Sequence, residues 1–253
     1  MAVAFGAPLG ALIATWFGWR GTFLTVAVLG LLSGGAIFAM VPKGLHGPKL
    51  SLSERLAVLA RPGLVPVLLA TLLPITGGFT VFTYIAVVTT QTVGLGDAIL
   101  PAVLLAFGVG AAIGNYAGGQ LADRIGATQT VLASTVLLMF TLAALPVLGH
   151  LPASIATTGY LGFMVLWGIV GWALPPAQAS RVIKLASDAA PLALSLNASA
   201  LYLGVALGSV VGGAVITYGQ VSELGWVGAA FSAAGFAVVA LFRPVQKLAP
   251  RLG

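Results

Sequence analysis

The chain has 253 residues, of which 59% are hydrophobic and only 6% are charged, and its mean hydropathy is +1.10. This composition excludes an ordinary soluble domain, because so large an apolar share cannot be hidden from water, and it predicts that lipid is the solvent. The absence of cysteine excludes disulfides and thiolate metal sites. The net charge of +6 does not require a nucleic-acid partner, because membrane proteins collect Lys and Arg on their cytoplasmic loops.

Long charge-free stretches follow one another along the chain, each able to cross about 30 Å of hydrocarbon as a helix. The first stretch is interpreted as mature protein, because it has neither a basic segment ahead of it nor a signal-peptide cleavage pattern. We therefore predict an all-α, polytopic membrane protein with eight spans, at residues 2–17, 22–41, 64–89, 98–118, 128–148, 155–180, 191–217 and 225–242.

Small residues recur at every fourth position in the first and seventh spans. A helix face without large side chains lets two backbones approach closely, which favours helix association in lipid. Static packing explains most of these residues, and the prolines near the spans are candidates for bends. The residues predicted to pack helices are Gly6, Pro8, Gly10, Gly204, Gly208 and Gly212.

The segment 42–63 is the only sizeable polar stretch, and we predict that it is a cytoplasmic linker. It separates a two-helix piece at 1–41 from a six-helix unit at 64–253. Within the linker, Ser51 to Glu54 has the pattern of a helix start, so an amphipathic helix is predicted to lie along the membrane surface.

The basic residues are divided unequally between the two sides of the predicted membrane protein. If the loop around Arg20 faces outward, ten of the 11 Lys and Arg residues face inward. This positive-inside pattern predicts that both termini are cytoplasmic, in a cell inner (plasma) membrane. Asp97 and Asp188 precede spans that have a proline in their first turn, so each is interpreted either as a helix-capping residue or as a transport residue.

Two segments six spans apart resemble each other and indicate an internal repeat. Residues 5–23 and 203–231 both run from a glycine-stepped helix through a short loop into Gly-Trp and then Phe. Because complete proteins built from two six-span units have twelve spans, the chain is expected to lack the first four.

Specific motifs then resemble a known family. GGQLADRIG at 118–126 matches the G-x-L-a-D-R-x-G loop signature of the major facilitator superfamily, and 5–23 is similar to the fifth helix of its drug:proton antiporter branch. GGFTVFTYIAVV (77–88) and SLNASALYLGVALGSVVGG (195–213) resemble helices of the arabinose-efflux and chloramphenicol-resistance permeases. The resemblance implies eight helices of a twelve-helix fold whose two halves alternately open a central cavity to each side.

The resemblance also implies a role for the Asp-Arg loop. In the family, the loop Asp is thought to face a helix N-terminus in the other half of the molecule, where free N–H groups favour an anion. In this chain the loop is expected to face residues 1–5 and to act as a conformational latch; the alternative is a loop merely pinned at the surface. The predicted latch consists of Gly119, Leu121, Asp123, Arg124 and Gly126.

A substrate cavity is expected near the bilayer midplane, lined by the few polar and aromatic groups of the spans. Asn197 is the sharpest candidate, and its alternative role is an interhelical hydrogen bond. The predicted lining residues are Phe79, Phe82, Thr83, Tyr84, Asn115, Trp167, Trp172, Gln178, Asn197 and Tyr202.

The predicted function is secondary active transport: efflux of small amphipathic solutes such as drugs or sugars, by proton antiport. No ionisable residue lies inside a predicted span, so the coupling carboxylate is expected elsewhere. The alternative is a non-transporting remnant, or a bundle partner that needs a separate four-helix piece. Motifs of intramembrane enzymes and of nucleotide sites are absent from the sequence, so no enzyme activity, cofactor, metal or nucleic-acid partner is predicted. The expected partners are a small-molecule substrate, membrane lipids and protons, and the oligomeric state is left open.

Overall fold

The computed structural model describes residues 2–40 and 57–242, and this part of the chain is mostly helical, with short turns between the helices and no strand. Six helical stretches within it are long and apolar enough to cross a membrane. The predicted all-α membrane bundle is therefore confirmed. The main helices are α1 (Ala2–Met40), α2 (Leu64–Phe82), α3 (Leu100–Leu121), α4 (Ala127–Leu148), α5 (Ala153–Trp172), α6 (Leu174–Leu185), α7 (Ala190–Tyr218) and α8 (Glu223–Leu241).

Two glycines divide long helical stretches at the places where the sequence predicts loops. Gly18 has φ 68 and ψ 175 and so breaks α1 into two helices. Gly126 has φ 99 and ψ 143 between α3 and α4, after the π-helical residues Ala122–Gly126. Glycine tolerates these positive φ values without the steric cost that a Cβ would bring. The two breaks separate helices that correspond to four of the predicted spans.

The six helical units from α2 to α8 form one bundle, with α5 and α6 counting as a single broken unit. Within it, α3 packs along α5, α2 lies between α7 and α8, and α8 also packs on α4. α1 rests on the outside, against α3, and its residues from Leu12 to Met40 include no buried side chain. The core of the described chain is therefore formed by α2 to α8.

Glycines allow the close contacts within this bundle. A Cβ on Gly114 of α3 would collide with the carbonyl of Ile169 on α5, and Gly110 and Gly118 meet Val165 of the same helix and Ala173 directly after it. In lipid, such close backbone approach is a main source of helix association. The spacing of three small residues four apart thus sets how closely α3 approaches α5.

The predicted packing residues fall into two groups. Gly204, Gly208 and Gly212 are buried where α7 contacts α2, facing Leu72, Thr76 and Thr80 respectively. On α1, Gly10 faces Thr22, whose hydroxyl donates to the Gly10 carbonyl at 3.0 Å, whereas Gly6 has no neighbour within 4 Å of the position of a Cβ. The side chain of Pro8 lies outside what the structure describes.

The sixth predicted span differs from the observed helices at its end. The sequence places that span at 155–180 and Arg181 in a loop, whereas α6 continues to Leu185 and buries Arg181, leaving 7% of it exposed. Pro175 and Pro176 lie in the first turn of α6, directly after the break that follows Trp172. The amphipathic helix predicted from Ser51 lies outside the described residues.

Candidate functional site

A cavity of about 550 Å³ opens among α2, α3, α4, α5, α6 and α7. Such a volume is within the range of small-molecule sites in proteins. None of its lining side chains is ionisable at neutral pH. The lining residues are Pro74, Ile75, Gly78, Phe79, Phe82, Phe107, Leu138, Trp167, Gly171, Trp172, Pro175, Leu201, Tyr202 and Val205.

Aromatic rings dominate one wall of the cavity. Phe82 is the centre of this wall: its ring centroid lies 4.5 Å from that of Phe107, 5.7 Å from that of Phe79 and 6.1 Å from that of Trp167. Edge-to-face and tilted ring pairs at these distances are favourable and hold the rings in place. The wall can therefore present preformed aromatic surface to an apolar or aromatic solute.

Helical periodicity explains why these residues meet. On α2, Gly78 and Phe82 are four residues apart and share a face, and on α7 the same holds for Leu201 and Val205. Gly171 and Gly78 carry no side chain, so they leave space rather than fill it. The cavity is thus a gap among the helices, where glycines on α2 and α5 leave space next to large aromatic side chains.

The ten residues predicted to line a substrate cavity are divided by the structure. Five of them, Phe79, Phe82, Trp167, Trp172 and Tyr202, line the cavity described above. Thr83 and Tyr84 instead hydrogen-bond to Ser209 on α7, through its hydroxyl and its carbonyl respectively. Asn115 is exposed on α3, while Gln178 and Asn197 are buried in a polar cluster. A substrate contact for these remaining residues stays a prediction.

The polar cluster joins α2, α6 and α7 through four side chains. Arg181 Nη1 donates to Gln178 Oε1 at 2.9 Å, and Gln178 Nε2 donates to Thr71 Oγ1 at 3.0 Å and to the Val67 carbonyl at 3.2 Å. Thr71 Oγ1 then donates to Asn197 Oδ1 at 2.6 Å. The interhelical hydrogen bond considered for Asn197 is therefore present, and it belongs to a longer chain of donors.

A bidentate ion pair lies just before the beginning of α2 and α7. Arg61 Nη1 and Nη2 donate to Asp188 Oδ1 and Oδ2 at 2.6 and 2.7 Å. The hydrogen bond from Arg61 lowers the pKa of Asp188 to about 2, and the same bond raises the pKa of Arg61. Asp188 is in the turn before α7, outside the membrane-spanning helices, and therefore carries its charge throughout the physiological pH range.

The residues of the predicted latch lie in the last turn of α3 and in the turn that leads to α4. Leu121, Asp123 and Arg124 are exposed, and neither charged side chain has an ion-pair partner within residues 57–242. Gly119 has open space around it, and Gly126 makes the turn. The side chains of residues 2–5, which the loop is expected to face, lie outside the description, so the latch stays a prediction.

Sequence reasoning missed several residues of this site. Phe107 is the omission that the sequence could have avoided, because an aromatic residue in the middle of a span indicates a candidate cavity-lining residue. Thr71 and Arg181 were missed for another reason: one is a small hydroxyl residue and the other was assigned to a loop. Apolar lining residues such as Leu201 carry no sequence signal of a site at all. Groups of His, Asp and Glu that could hold a metal are absent from the described residues.

Comparison with known sequences gives one family. The profile of the Major Facilitator Superfamily matches residues 1–190. The inner membrane transport protein YdhP of Escherichia coli K12 is 36% identical over 246 residues, which is 96% of this chain and 60% of that protein. The chloramphenicol resistance protein of Streptomyces lividans is 32% identical over 253 residues, or 97% of this chain and 62% of that protein.

A third relative is more distant. The uncharacterized MFS-type transporter YbcL of Bacillus subtilis 168 is 27% identical over 224 residues, which cover 88% of this chain and 56% of that protein. The chain thus spans about 60% of the length of the curated relatives that it matches.

Proposed function

Since the chain belongs to the Major Facilitator Superfamily, whose members are membrane transporters and not enzymes, we propose that it acts in secondary active efflux of small amphipathic solutes such as drugs or sugars. The observation that carries this proposal is the aromatic cavity of about 550 Å³ inside a bundle of membrane-spanning helices. A mid-membrane cavity of this kind is where transporters bind their solutes. Alternating access of the cavity to the two sides is the proposed mechanism.

Solute binding in this cavity depends on the aromatic wall. Phe79, Phe82, Phe107 and Trp167 offer ring faces and edges that contact one another at centroid distances from 4.5 to 6.1 Å. A flat apolar group that moves from lipid or water onto these rings meets a preformed surface. Its binding therefore requires little ordering of the protein side chains. The similarity to a chloramphenicol resistance protein supports an aromatic drug as the solute.

Proton antiport requires a titratable group, and the proposal places that group outside this cavity wall. The lining has no carboxylate or histidine. Asp188 does not meet the need, because its low pKa and its pairing with Arg61 keep it charged at neutral pH. The proposed coupling to protons therefore needs a carboxylate from a residue that does not line this cavity.

The proposed orientation places both termini and the Asp123-Arg124 loop on the cytoplasmic side of a cell inner (plasma) membrane. The supporting observation is the excess of Lys and Arg in the loops of that side. In this orientation the loop between α3 and α4 forms the proposed latch, which opens when the cytoplasmic side opens. The piece 1–41, the linker 42–63 and the six-helix unit 64–253 are the proposed divisions of the chain.

A second candidate function is a helix-bundle partner that works only with a separately made four-helix piece. Its supporting observation is the exposed apolar surface of α1, where no residue from Leu12 to Met40 is buried. On this reading the chain alone does not move solute.

Transport by the purified chain in sealed liposomes separates the two candidates. We expect an imposed proton gradient to drive accumulation of radiolabelled chloramphenicol above that of empty liposomes, and a protonophore to abolish it. Phe79→Ala should weaken apparent affinity about fivefold to tenfold, which corresponds to roughly 1–1.4 kcal/mol. Phe140→Ala is the matched control, since Phe140 is 62% exposed on α4 and away from the cavity.

Two results would count against transport by this chain. Chloramphenicol and L-arabinose are assayed in the same way. If neither accumulates above the level in empty liposomes, with or without the proton gradient, the bundle-partner function is favoured. Equal effects of Phe79→Ala and Phe140→Ala would show that the aromatic wall does not contact the transported solute.

A further inference from the structure

The polar cluster lies one helical turn beyond residues that line the aromatic cavity, and its own members are not part of that lining. Each of its three hydrogen-bonding members apart from Arg181 is one helical turn from a residue that lines the cavity, on the same helix face. The polar residue and its lining neighbour are Thr71 and Ile75 on α2, Gln178 and Pro175 on α6, and Asn197 and Leu201 on α7. The three helices are therefore polar just beyond the cavity on the side of the Arg61 and Asp188 pair, whereas the cavity wall is aromatic.

The hydrogen bonds of this cluster run in one direction. Arg181 can only donate, so the Gln178 oxygen that faces it must accept, and this turns the Gln178 amide nitrogen toward Thr71. Thr71 accepts that bond and gives its own proton to Asn197 Oδ1 at 2.6 Å, a much shorter distance than the 3.5 Å to the Val67 carbonyl. Each member thus fixes the orientation of the next.

The chain of donors ends at Asn197 with an unused donor. Its amide oxygen is occupied by Thr71, while its Nδ2 group, which carries two protons, donates to no acceptor in the described part of the chain. Asn197 is 8% exposed, so water reaches little of it. Among the described residues only Thr92 Oγ1 is fully buried without a partner, so Asn197 Nδ2 keeps some accessible surface from which it can donate to a solute atom.

Arg181 strengthens this donor from the opposite end. It is buried, with no carboxylate within salt-bridge distance among residues 57–242, and its positive charge faces the start of the chain of hydrogen bonds. Hydrogen bonds in series polarise one another, and the effect is larger at low dielectric. The amide protons of Asn197 are therefore better donors than those of an isolated asparagine.

We infer that Asn197 is a specificity-determining residue that donates to a carbonyl-type acceptor on an uncharged aromatic solute, with Thr71, Gln178 and Arg181 as positioning residues. The inference rests on the proposed function, since it requires that the cavity binds the transported solute. The aromatic wall takes the ring of the solute and the polar cluster takes its acceptor. The preferred class is thus an aryl carbonyl compound.

The lining makes other solute classes poorer ligands. A sugar needs a hydrogen-bonding partner for each hydroxyl, and the cavity lining offers few polar atoms beyond Tyr202 and the two tryptophans. A lipophilic cation finds no carboxylate in the lining, and an anion loses its hydration against an apolar wall. Only a neutral aromatic compound with few acceptors matches both the wall and the polar cluster.

Benzophenone and diphenylmethane form a matched pair of probes, because they differ only in the carbonyl group between two phenyl rings. We expect the purified full chain in nanodiscs to prefer benzophenone, after correction for binding to empty nanodiscs. Asn197→Leu keeps the shape of the side chain and removes its donor, so the preference should fall about threefold to tenfold, as expected for one hydrogen bond. Ser199→Ala, at an exposed position of α7, should leave the preference unchanged.

The positioning role of Thr71 is tested by the same ratio. Thr71→Val removes the hydroxyl that holds Asn197 and should lower the preference, whereas Thr71→Ser keeps the hydroxyl and should retain it. A merely structural role would change the binding of both probes together and leave their ratio constant. Lack of any benzophenone preference in the unmodified chain, or a preference that survives Asn197→Leu, would overturn the inference.

Photolabelling provides a test that requires no variant. Irradiated benzophenone inserts into C–H bonds next to its carbonyl, so the labelled peptide reports where the carbonyl lies. We expect labelling near Asn197 and Thr71, and labelling confined to the aromatic wall around Phe107 and Trp167 would contradict the inference. Binding does not require transport. A chain that binds with this preference but moves no solute would contradict the proposed function and leave the inference about Asn197 intact.

Discussion

At the scale of single residues, glycine decides how closely the helices approach. Gly208 on α7 is buried, and a Cβ at this position would lie 2.6 Å from the Thr76 carbonyl and 2.9 Å from Phe79 Cβ on α2. Because the nearest atom belongs to the backbone, it cannot move aside by a rotamer change. One missing methyl group at Gly208 thus sets the distance between α7 and the helix that carries Phe79.

Gly208→Ala should therefore destabilise the bundle by about 1–3 kcal/mol, the usual cost of overpacking. The measurement is thermal unfolding in detergent, followed by far-UV circular dichroism. Gly162→Ala is the matched control, since Gly162 on α5 has no neighbour within 4 Å and its helix should gain slightly from alanine. Equal melting temperatures for the two variants would show that the α2 and α7 backbones can separate freely.

At the scale of elements, α2 and α7 run parallel and are held in register at three levels. Arg61 pairs with Asp188 at the beginning, Thr71 with Asn197 in the first half, and Thr83 with Ser209 near the end of α2. The partners are 127, 126 and 126 residues apart in sequence, so one register satisfies all three pairs. A slide of one helix along the other would break them together.

Reversing the charges at the first level tests this register. Arg61→Asp and Asp188→Arg should each lower the melting temperature at low salt, and the double variant should recover part of the loss because opposite charges face each other again. High salt should reduce every effect, since Arg61 and Asp188 are both partly exposed. Asp97→Asn, at an exposed acid before α3, is the control and should change little.

The pH dependence of this pair follows from the low pKa of Asp188. The folded-state pKa, about 2, lies below the ordinary value of 3.8, so the stabilisation is present above about pH 4 and is lost as the pH falls through about 2. The difference in melting temperature between the parent chain and Asp188→Asn should therefore be constant from neutral pH to about pH 4. A difference that vanishes near pH 6 would contradict this assignment.

At the scale of the whole molecule, the side of the membrane on which the Asp123-Arg124 loop lies decides how the proposed transporter works. The chain has no cysteine, so a single cysteine in place of the exposed Ile125 reports that loop alone. A membrane-impermeant maleimide should label it in inside-out vesicles and leave it unlabelled in right-side-out vesicles. A cysteine replacing Gln220, between α7 and α8, should show the opposite pattern.

The same vesicles test the latch. Asp123→Asn should change the rate of solute transport, because the proposed latch holds the cytoplasmic side closed, while the melting temperature should stay nearly constant for so exposed a residue. Gln129→Glu, at another exposed polar position beyond the turn, provides a control with a charge change of the same size and opposite sign. Unaltered transport in Asp123→Asn would favour a loop that is merely pinned at the surface.

The sequence by itself determined the helices, because their causes are local. Charge-free stretches long enough to cross lipid place α3, α4, α7 and α8 within three residues of their observed bounds, and Gly18 and Gly126 separate helices where loops were predicted. The span predicted at 64–89 runs past the end of α2 at Phe82, and the single span predicted at 155–180 corresponds to α5 and α6 together. The motif around Asp123 indicated the family, which the comparisons confirm. Aromatic residues in mid-span, such as Phe79 and Trp167, also indicated five of the 14 residues that line the cavity.

Only the tertiary structure decided which of these side chains meet. Thr71 and Asn197 are 126 residues apart, and no spacing in the sequence shows that they share a hydrogen bond. Arg181 looked like a loop residue because a charge in a span is costly, yet its bond to Gln178 keeps it inside α6. Periodicity gives the face of a helix but not its neighbour, since the neighbour depends on how closely the glycines let the backbones approach.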